Sequence, residues 1–216
     1  MTATVSIVVP CHDHGHLLAE ALDSIAAQGV PVEVIVVDDR STDDTIAVAT
    51  ARGATVVRSP APGAGAARNA GVAVASAEVI GFLDADDLWP SGSLALRLAA
   101  LAGHDAAFGA VDEFVQPGFD GEHPEPRSVG PTRMPGSMLL RREAWTAVGP
   151  IDESLKLGEF IDWVARFDNA GLRAKGIDDV VLRRRIHATN STRDAGATAA
   201  ASYLEVARMH RRRLSE

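Results

Sequence analysis

Val5-Ser6-Ile7-Val8-Val9-Pro10 is a short β-branched apolar run closed by a proline, the pattern of a buried strand. Residues 16–27 follow with Leu17, Leu18, Ala21, Leu22 and Ile25 at helical spacing, and Gly29 supplies a stop. The alternation then repeats. Residues 32–37 are a second strand broken by Asp38-Asp39, and residues 41–44 offer caps, Ser41 and Thr42 among them, for a helix that ends near Arg52-Gly53. Residues 54–58 read as a third strand, 64–75 as a helix, and 78–83 as a fourth strand ending at Asp84. Strands joined by helices of this length imply an α/β fold with a parallel, doubly wound sheet. Ligands of such sheets bind beyond the carboxyl ends of the strands. Pro10-Cys11-His12-Asp13, Asp38-Asp39 and Asp84-Ala85-Asp86 each follow a strand's last apolar residue, so one rim should gather all three polar clusters.

The second half is less regular. Strands are expected at 106–114, 137–140 and 180–186, with helices at 142–148 and 159–170, the latter burying Phe160, Trp163, Val164 and Phe167. Residues 115–133 are rich in Pro, Gly and charge and read as a long surface loop. Residues 188–197 are polar, and a C-terminal helix is expected within 196–216. No repeat or linker divides the chain. Residues 1–195 are expected to form a single domain, with a regular half at about 1–100 and a less regular half at about 101–195.

Composition excludes several classes. The chain has 216 residues, 46% of them hydrophobic, and a formal net charge of −8, which argues against a nucleic-acid binder. One cysteine, Cys11, forms no internal disulfide. No signal-type leader and no apolar stretch long enough to span a membrane is seen, so a cytoplasmic location is expected. Arg183-Arg184-Arg185 and the group Arg208, His210, Arg211, Arg212 and Arg213 are basic clusters. They read as solvated helix ends favoured by the dipole, with weak peripheral contact to anionic lipid at the inner membrane surface as the sharper alternative.

Phe82-Leu83-Asp84-Ala85-Asp86-Asp87 carries the strongest chemical signal. Crowded carboxylates raise one another's pKa unless a cation neutralises them, and a hard divalent ion binds carboxylate and phosphate oxygens together. If the backbone is extended here, acids at i and i+2 share a side. Asp84 then faces the nucleotide, Asp86 takes the ion, and Asp87 caps the next helix. Gly63-Ala64-Gly65-Ala66-Ala67-Arg68-Asn69-Ala70-Gly71 joins a Gly-rich turn to a helix start, which favours anions. Arg68 is a candidate for diphosphate or ribose. The bland alternative is tight helix packing with Arg68 at the surface. Asp38 and Asp39 suit a uracil imide or a ribose hydroxyl. His12, His14 and His16 straddle a loop and a helix start and are not credited as a metal cluster.

Val5 to Pro10, Glu33-Val34-Ile35-Val36-Val37-Asp38-Asp39-Arg40-Ser41-Thr42, Ala67-Arg68-Asn69-Ala70-Gly71 and Phe82 to Asp87 together resemble the successive motifs of glycosyltransferase family 2. Order and spacing match over about the first ninety residues. The resemblance implies a GT-A fold, with a Rossmann-like, mostly parallel central sheet flanked by helices and a less regular acceptor side. It implies a nucleoside-diphosphate sugar donor, expected to be UDP-linked, together with Mn²⁺ or Mg²⁺ and inversion at the anomeric carbon. Its nucleotide contacts fall on Pro10, Cys11, His12, Asp38, Asp39, Arg68, Asp84 and Ala85, with His12-Asp13 where the family usually has Tyr-Asn. The metal side falls on Asp84, Asp86 and His187, the last within Arg185-Ile186-His187-Ala188-Thr189-Asn190-Ser191. The catalytic base, usually in a Glu-Asp pair, falls on Glu159, with Phe160 where the Asp is expected and Asp162 as the competing base.

The acceptor is not legible and could be a glycan, a lipid-linked sugar, a peptide or a small molecule. Two other functions are weighed. One is a nucleotide-sugar-binding relic of the same fold, kept open by Phe160. The other is sugar-nucleotide nucleotidyl transfer, which calls for a Gly-rich basic loop after the first strand that Pro10-Cys11-His12-Asp13 lacks.

Overall fold

The computed structural model describes residues 4–155 and 157–190. Helices and strands alternate as β1 (Val5–Cys11), α1 (Gly15–Ala26), β2 (Val32–Asp38), α2 (Thr45–Ala51), β3 (Thr55–Arg58), α3 (Ala64–Val74) and β4 (Val79–Phe82). The second half contributes α4 (Ser93–Ala100), β5 (Ala106–Val115), β6 (Ser128–Val129), β7 (Met138–Arg141), α5 (Arg142–Val148), α6 (Glu159–Asn169) and β8 (Ala174–Ile186). The strands form one sheet in the order β3-β2-β1-β4-β7-β5-β6, with β8 also paired to β5. β1 pairs parallel with both β2 and β4, placing Cys11 beside Asp38 and Val8 beside Phe82. The carboxyl ends of these three strands therefore share a rim. β7 pairs antiparallel with β4 and with β5, whereas β8 runs parallel to β5.

The central strands are buried on both faces, as their near-continuous apolar runs require. Ile7, Val9 and Val36 pack beneath Leu18, Ala21, Leu22 and Ile25 of α1 and Leu94 of α4. Val8, Ile35, Val37, Ile80 and Phe82 face Ala67 and Val72 of α3, Trp145 of α5 and Phe160, Trp163 and Phe167 of α6. The aromatic side chains of this second layer stack continuously. Trp145 and Trp163 lie 5.3 Å apart between centroids, Phe160 and Trp163 5.7 Å, and Phe82 and Phe160 6.2 Å. The Trp163 indole N–H is satisfied by the Gly149 carbonyl at 2.9 Å. Phe160 is thus a core residue joining α6 to β4.

Several expectations are corrected. Residues 115–133 are not loop throughout, because Ser128–Val129 pairs with Val111 and Asp112. β8 starts at Ala174, earlier than its apolar portion suggests, since its exposed first half holds few apolar residues. α4 is a further helix that the periodicity did not delimit. Of the cap candidates at 41–44, the later two stand at the start of α2 rather than Ser41 or Thr42: the helix begins at Thr45 after Asp44, with Asp43 accepting from the Thr45 amide at 3.0 Å. Arg183, Arg184 and Arg185 lie on a strand rather than at a helix end. Arg183 stacks on Phe114, Arg184 pairs with Glu113, and Arg185 is buried. The expected C-terminal helix and its basic cluster at 208–213 lie outside the described residues. No helix among the described residues is long and apolar enough to cross a membrane.

Gly71 shows how tightly α3 sits on the sheet: a Cβ there would lie 2.3 Å from Val8 Cγ1. Overpacking at such a contact costs about 1–3 kcal/mol. Gly71→Ala is therefore expected to lower the denaturation midpoint in urea without changing the m-value, and an unchanged midpoint would show that the contact relaxes freely.

Candidate active site

A cleft of about 1230 Å³ opens at the shared rim. Its floor and walls come from the loops after β1, β2 and β4, the first turn of α3, the start of α6 and the end of β8. Pro10, Cys11, His12, Asp39, Arg68, Asp84, Ala85, Asp86, Glu159 and His187 all line it. Asp38 and Asp162 are not among the lining residues.

The loops after β1 and β2 are laced together. Asp13 Oδ1 accepts from the Thr42 amide at 2.6 Å, while the Asp13 amide donates to Ser41 Oγ at 3.1 Å. Asp13 and Arg40 both have positive φ, 51° and 62°, which is sparsely populated for residues other than glycine. Asp38 is buried, and its Oδ1 accepts from the Ser41 amide at 3.0 Å. It therefore shapes the turn beneath the cleft, outside the residues that line it. Asp39 reaches the cleft instead, with Oδ2 accepting from the Gly63 amide at 2.7 Å and Oδ1 held by Arg40. Gly63 adopts φ +108°, so a side chain there would be strained. Cys11 borders the cleft, but its thiol packs in the core against Thr45 Oγ1 at 3.5 Å. Burial pushes that thiol up to about 11.

Asp84, Ala85 and Asp86 do not form an extended segment. The Asp87 amide donates to the Asp84 carbonyl at 3.0 Å, closing a turn. The turn sends the acids to different partners. Asp84 Oδ1 is 2.7 Å from an Arg68 terminal nitrogen, and Asp86 Oδ2 is 2.9 Å from His187 Nε2. Burial raises the Asp86 carboxyl, but the His187 hydrogen bond and the nearby His14 and His187 charges bring it below its ordinary value. Asp87 is buried and caps no helix, since α4 begins after Gly92. Its Oδ1 accepts from the Arg185 amide at 2.9 Å. Burial, with Asp86 and Asp84 close by, pushes the Asp87 carboxyl well above the usual range.

Arg185 holds this turn from behind. The buried guanidinium donates to the Asp86 carbonyl at 2.7 Å, to Glu20 at 2.7 Å and to Gln116. Asn190 completes the frame by donating to the Arg185 carbonyl at 3.0 Å and accepting from the His187 amide at 2.6 Å. Spacing gave no signal for Glu20, Gln116 or Arg185 as partners of the acidic turn, because they lie far apart along the chain. His14 was also missed. Its ring packs edge-on to His187 at 5.4 Å and its Nε2 lies 3.2 Å from Thr189 Oγ1.

Arg68 is neither at the surface nor turned toward open solvent. It is 4% exposed and bridges Asp84 and Glu159, the latter at 2.9 Å. Burial opposes its charge, yet Asp84 and Glu159 together hold it protonated above the ordinary guanidinium value. Glu159 stands at the first position of α6, on the cleft wall opposite the strand ends. Asp162, the competing base, is fully buried, with Oδ2 2.8 Å from Arg166 Nε. It lies one helical turn from Glu159, outside the residues that line the cleft.

A divalent cation is tested by the donors present. Among the described residues no group of three or more His, Cys, Asp or Glu side chains is arranged to hold an ion. Asp86 and His187 are the adjacent pair, and together with diphosphate oxygens and water they fit Mg²⁺ or Mn²⁺, which need only one or two protein carboxylates.

Two outcomes follow. Asp162→Asn should destabilise the fold by about 1–3 kcal/mol through loss of a buried charged partner, yet leave UDP affinity measured by calorimetry unchanged. A loss of affinity without a loss of stability would return Asp162 to the site. For Cys11, the unfolded thiol titrates near 9.0 and the folded one near 11. The unfolded state binds fewer protons across that window, so stability should fall as pH rises through it. Alkylation of Cys11 in the folded protein at pH 8 should be at least about 100-fold slower than in urea.

The glycosyl transferase family 2 profile matches residues 6–153. An uncharacterized glycosyltransferase of Mycobacterium tuberculosis is 39% identical over 97 residues, 45% of this chain and 43% of that protein. The match thus spans less than half the length of that relative. Among solved structures, S. aureus TarS 1–349 in complex with UDP-GlcNAc superposes with a TM-score of 0.73 at 20% identity, covering 89% of this chain and 61% of that one. Glucosyl-3-phosphoglycerate synthase of Mycobacterium tuberculosis, in complex with Mn²⁺, UDP and glucosyl-3-phosphoglycerate, gives 0.64 at 22% identity and covers 94% of this chain and 80% of that one. The sheet is that of the GT-A glycosyltransferases, and with its profile match over most of its length the chain belongs to glycosyl transferase family 2.

Proposed function

We propose that the chain is a cation-dependent, inverting glycosyltransferase that passes a sugar from a UDP-linked donor to a hydroxyl acceptor. The observation that carries this is that Asp86, paired with His187, and Glu159, at the start of α6, line one cleft. UDP as the nucleotide rests on the bound UDP and UDP-GlcNAc of the two structural neighbours, and Mn²⁺ on its presence in one of them.

Asp39 and the loop after β1 are assigned to the base and ribose side, where Pro10 and His12 border the same cleft. Asp84 turns toward the ribose, with one oxygen taken by Arg68. The start of α3 at Ala64 lines the same cleft and is assigned to the diphosphate side, where a helix N-terminus favours an anion. Asp86 and His187 would hold Mn²⁺ or Mg²⁺, whose charge eases departure of the diphosphate. Glu159 removes the proton of the acceptor hydroxyl. With Asp162 withdrawn to Arg166, Glu159 is the carboxylate left at the start of α6, and a single displacement by one base inverts the anomeric centre. The segments at 116–119 and 132–135, which form the remaining wall, are assigned to the acceptor.

A second reading, donor binding without turnover, is favoured by Phe160, which occupies the aromatic stack where the family carries an acid. Release of UDP from UDP-glucose and UDP-N-acetylglucosamine separates the two. Mn²⁺-dependent release by the wild type is expected, with Asp86→Ala about 100-fold or more slower and Glu159→Ala slower by about 100- to 10,000-fold. Binding of UDP with no release from either donor would favour the second reading. Release that Asp86→Ala leaves intact would remove the cation assignment.

A further inference from the structure

Arg68 is a buried charge in the lining of the cleft. Its terminal nitrogens are divided between two carboxylates that come from different parts of the chain, Asp84 after β4 and Glu159 at the start of α6. The Arg68 side chain is 5% exposed, Glu159 16% and Asp84 37%. Arg68 Nε is buried and has no hydrogen-bond partner among the described residues, so the guanidinium is held through its two terminal nitrogens alone. A guanidinium is a planar fork of fixed width, whereas an ammonium is a point charge on a flexible stem. Two carboxylates gripped by one fork therefore keep a set separation.

We propose that Arg68 is a positioning residue that couples the donor side of the cleft to the base, by holding Asp84 Oδ1 and Glu159 Oε1 at once. The proposal rests on Glu159 being the base. The second oxygen of each carboxylate, Asp84 Oδ2 and Glu159 Oε2, has no hydrogen-bond partner among the described residues and is left for ligand. The charge of Arg68 is already shared between these two acids, so it is not the diphosphate's neutralising contact. Gly65, one helical turn before Arg68, makes the approach possible. A Cβ there would lie 3.1 Å from Ile151 Cγ2 and 3.6 Å from Glu159 Cγ. α3 thus brings its backbone close beneath Glu159 and its guanidinium between Glu159 and Asp84. Without the bridge the two acids would repel each other and Glu159 would lose its fixed place relative to the donor. A displacement of about 1 Å in a reacting group costs on the order of 100-fold in rate.

The test separates position from affinity. Arg68→Lys keeps the charge and serves as the variant that folds; Arg68→Ala removes the fork. UDP affinity with Mn²⁺ is measured by calorimetry, and turnover by UDP release from UDP-glucose and UDP-N-acetylglucosamine. For Arg68→Lys, UDP affinity should stay within about threefold of wild type while turnover falls about 30- to 100-fold. Added methylguanidinium should raise turnover of Arg68→Ala at least about fivefold and leave that of Asp86→Ala unchanged. A tenfold or greater loss of UDP affinity in Arg68→Lys, parallel to the loss of turnover, would make Arg68 a donor contact and overturn the proposal. Undiminished turnover in Arg68→Lys would overturn it as well. Failure of the base assignment has a different mark, namely undiminished turnover in Glu159→Ala.

Discussion

Parallel pairing of β1 with both β2 and β4 brings three strand ends, and the carboxylates that follow them, to a single rim. Asp38, Asp39, Asp84, Asp86 and Asp87 crowd there, with Glu159 added from α6. Unpaired acids at this density would raise one another's pKa and oppose folding. Each is met by a specific partner. Asp38 takes the Ser41 amide, Asp39 takes Gly63 and Arg40, Asp84 and Glu159 share Arg68, Asp86 takes His187, and Asp87 takes the Arg185 amide. The rest of the site is the arrangement of these partners.

Burial divides the acids into two kinds. Asp38, Asp87 and Asp162 are enclosed and spend their oxygens on backbone or on a neighbouring arginine, so they set the shape of turns and helices. Asp39, Asp84, Asp86 and Glu159 keep an edge on the cleft. The same division applies to the cations. Arg185 is sealed behind the acidic turn and fixes it to Glu20 and Gln116, whereas Arg68 stands within the cleft wall. Chemistry at this rim depends on which oxygen of each carboxylate is already engaged, not on how many carboxylates are present.

The aromatic layer under α6 has a consequence for the site as well as for the fold. Phe82, Phe160, Trp163 and Trp145 pack in series from β4 to α5. This stack sets the height of α6 against the sheet, and with it the position of Glu159 at the helix start. Phe160 supplies apolar contact area between α6 and β4, which leaves the helix firmly seated.

Much was legible from residue order. Short β-branched runs, helical spacing between them and the stop signals at Gly29 and Gly53 marked the first four strands and three helices closely, because those strands are buried on both faces and carry strong local patterns. The rim position of Asp39, Asp84 and Asp86 followed from the rule that ligands gather at the strand ends. The weaker strands failed for a physical reason: β6 is two exposed residues, and the first half of β8 is stabilised by pairing with β5 rather than by apolar content. What tertiary structure alone decided was the partner of each charged side chain. Spacing could not bring Arg185 to Glu20, Arg68 to Glu159 or His14 to Thr189, nor turn Asp162 inward to Arg166, since these depend on which strands neighbour one another and on how deeply each helix is seated. Local sequence determined the strand ends and the acids that follow them; the packing of α3, α6 and β8 around those ends decided which acids are structural and which face the cleft.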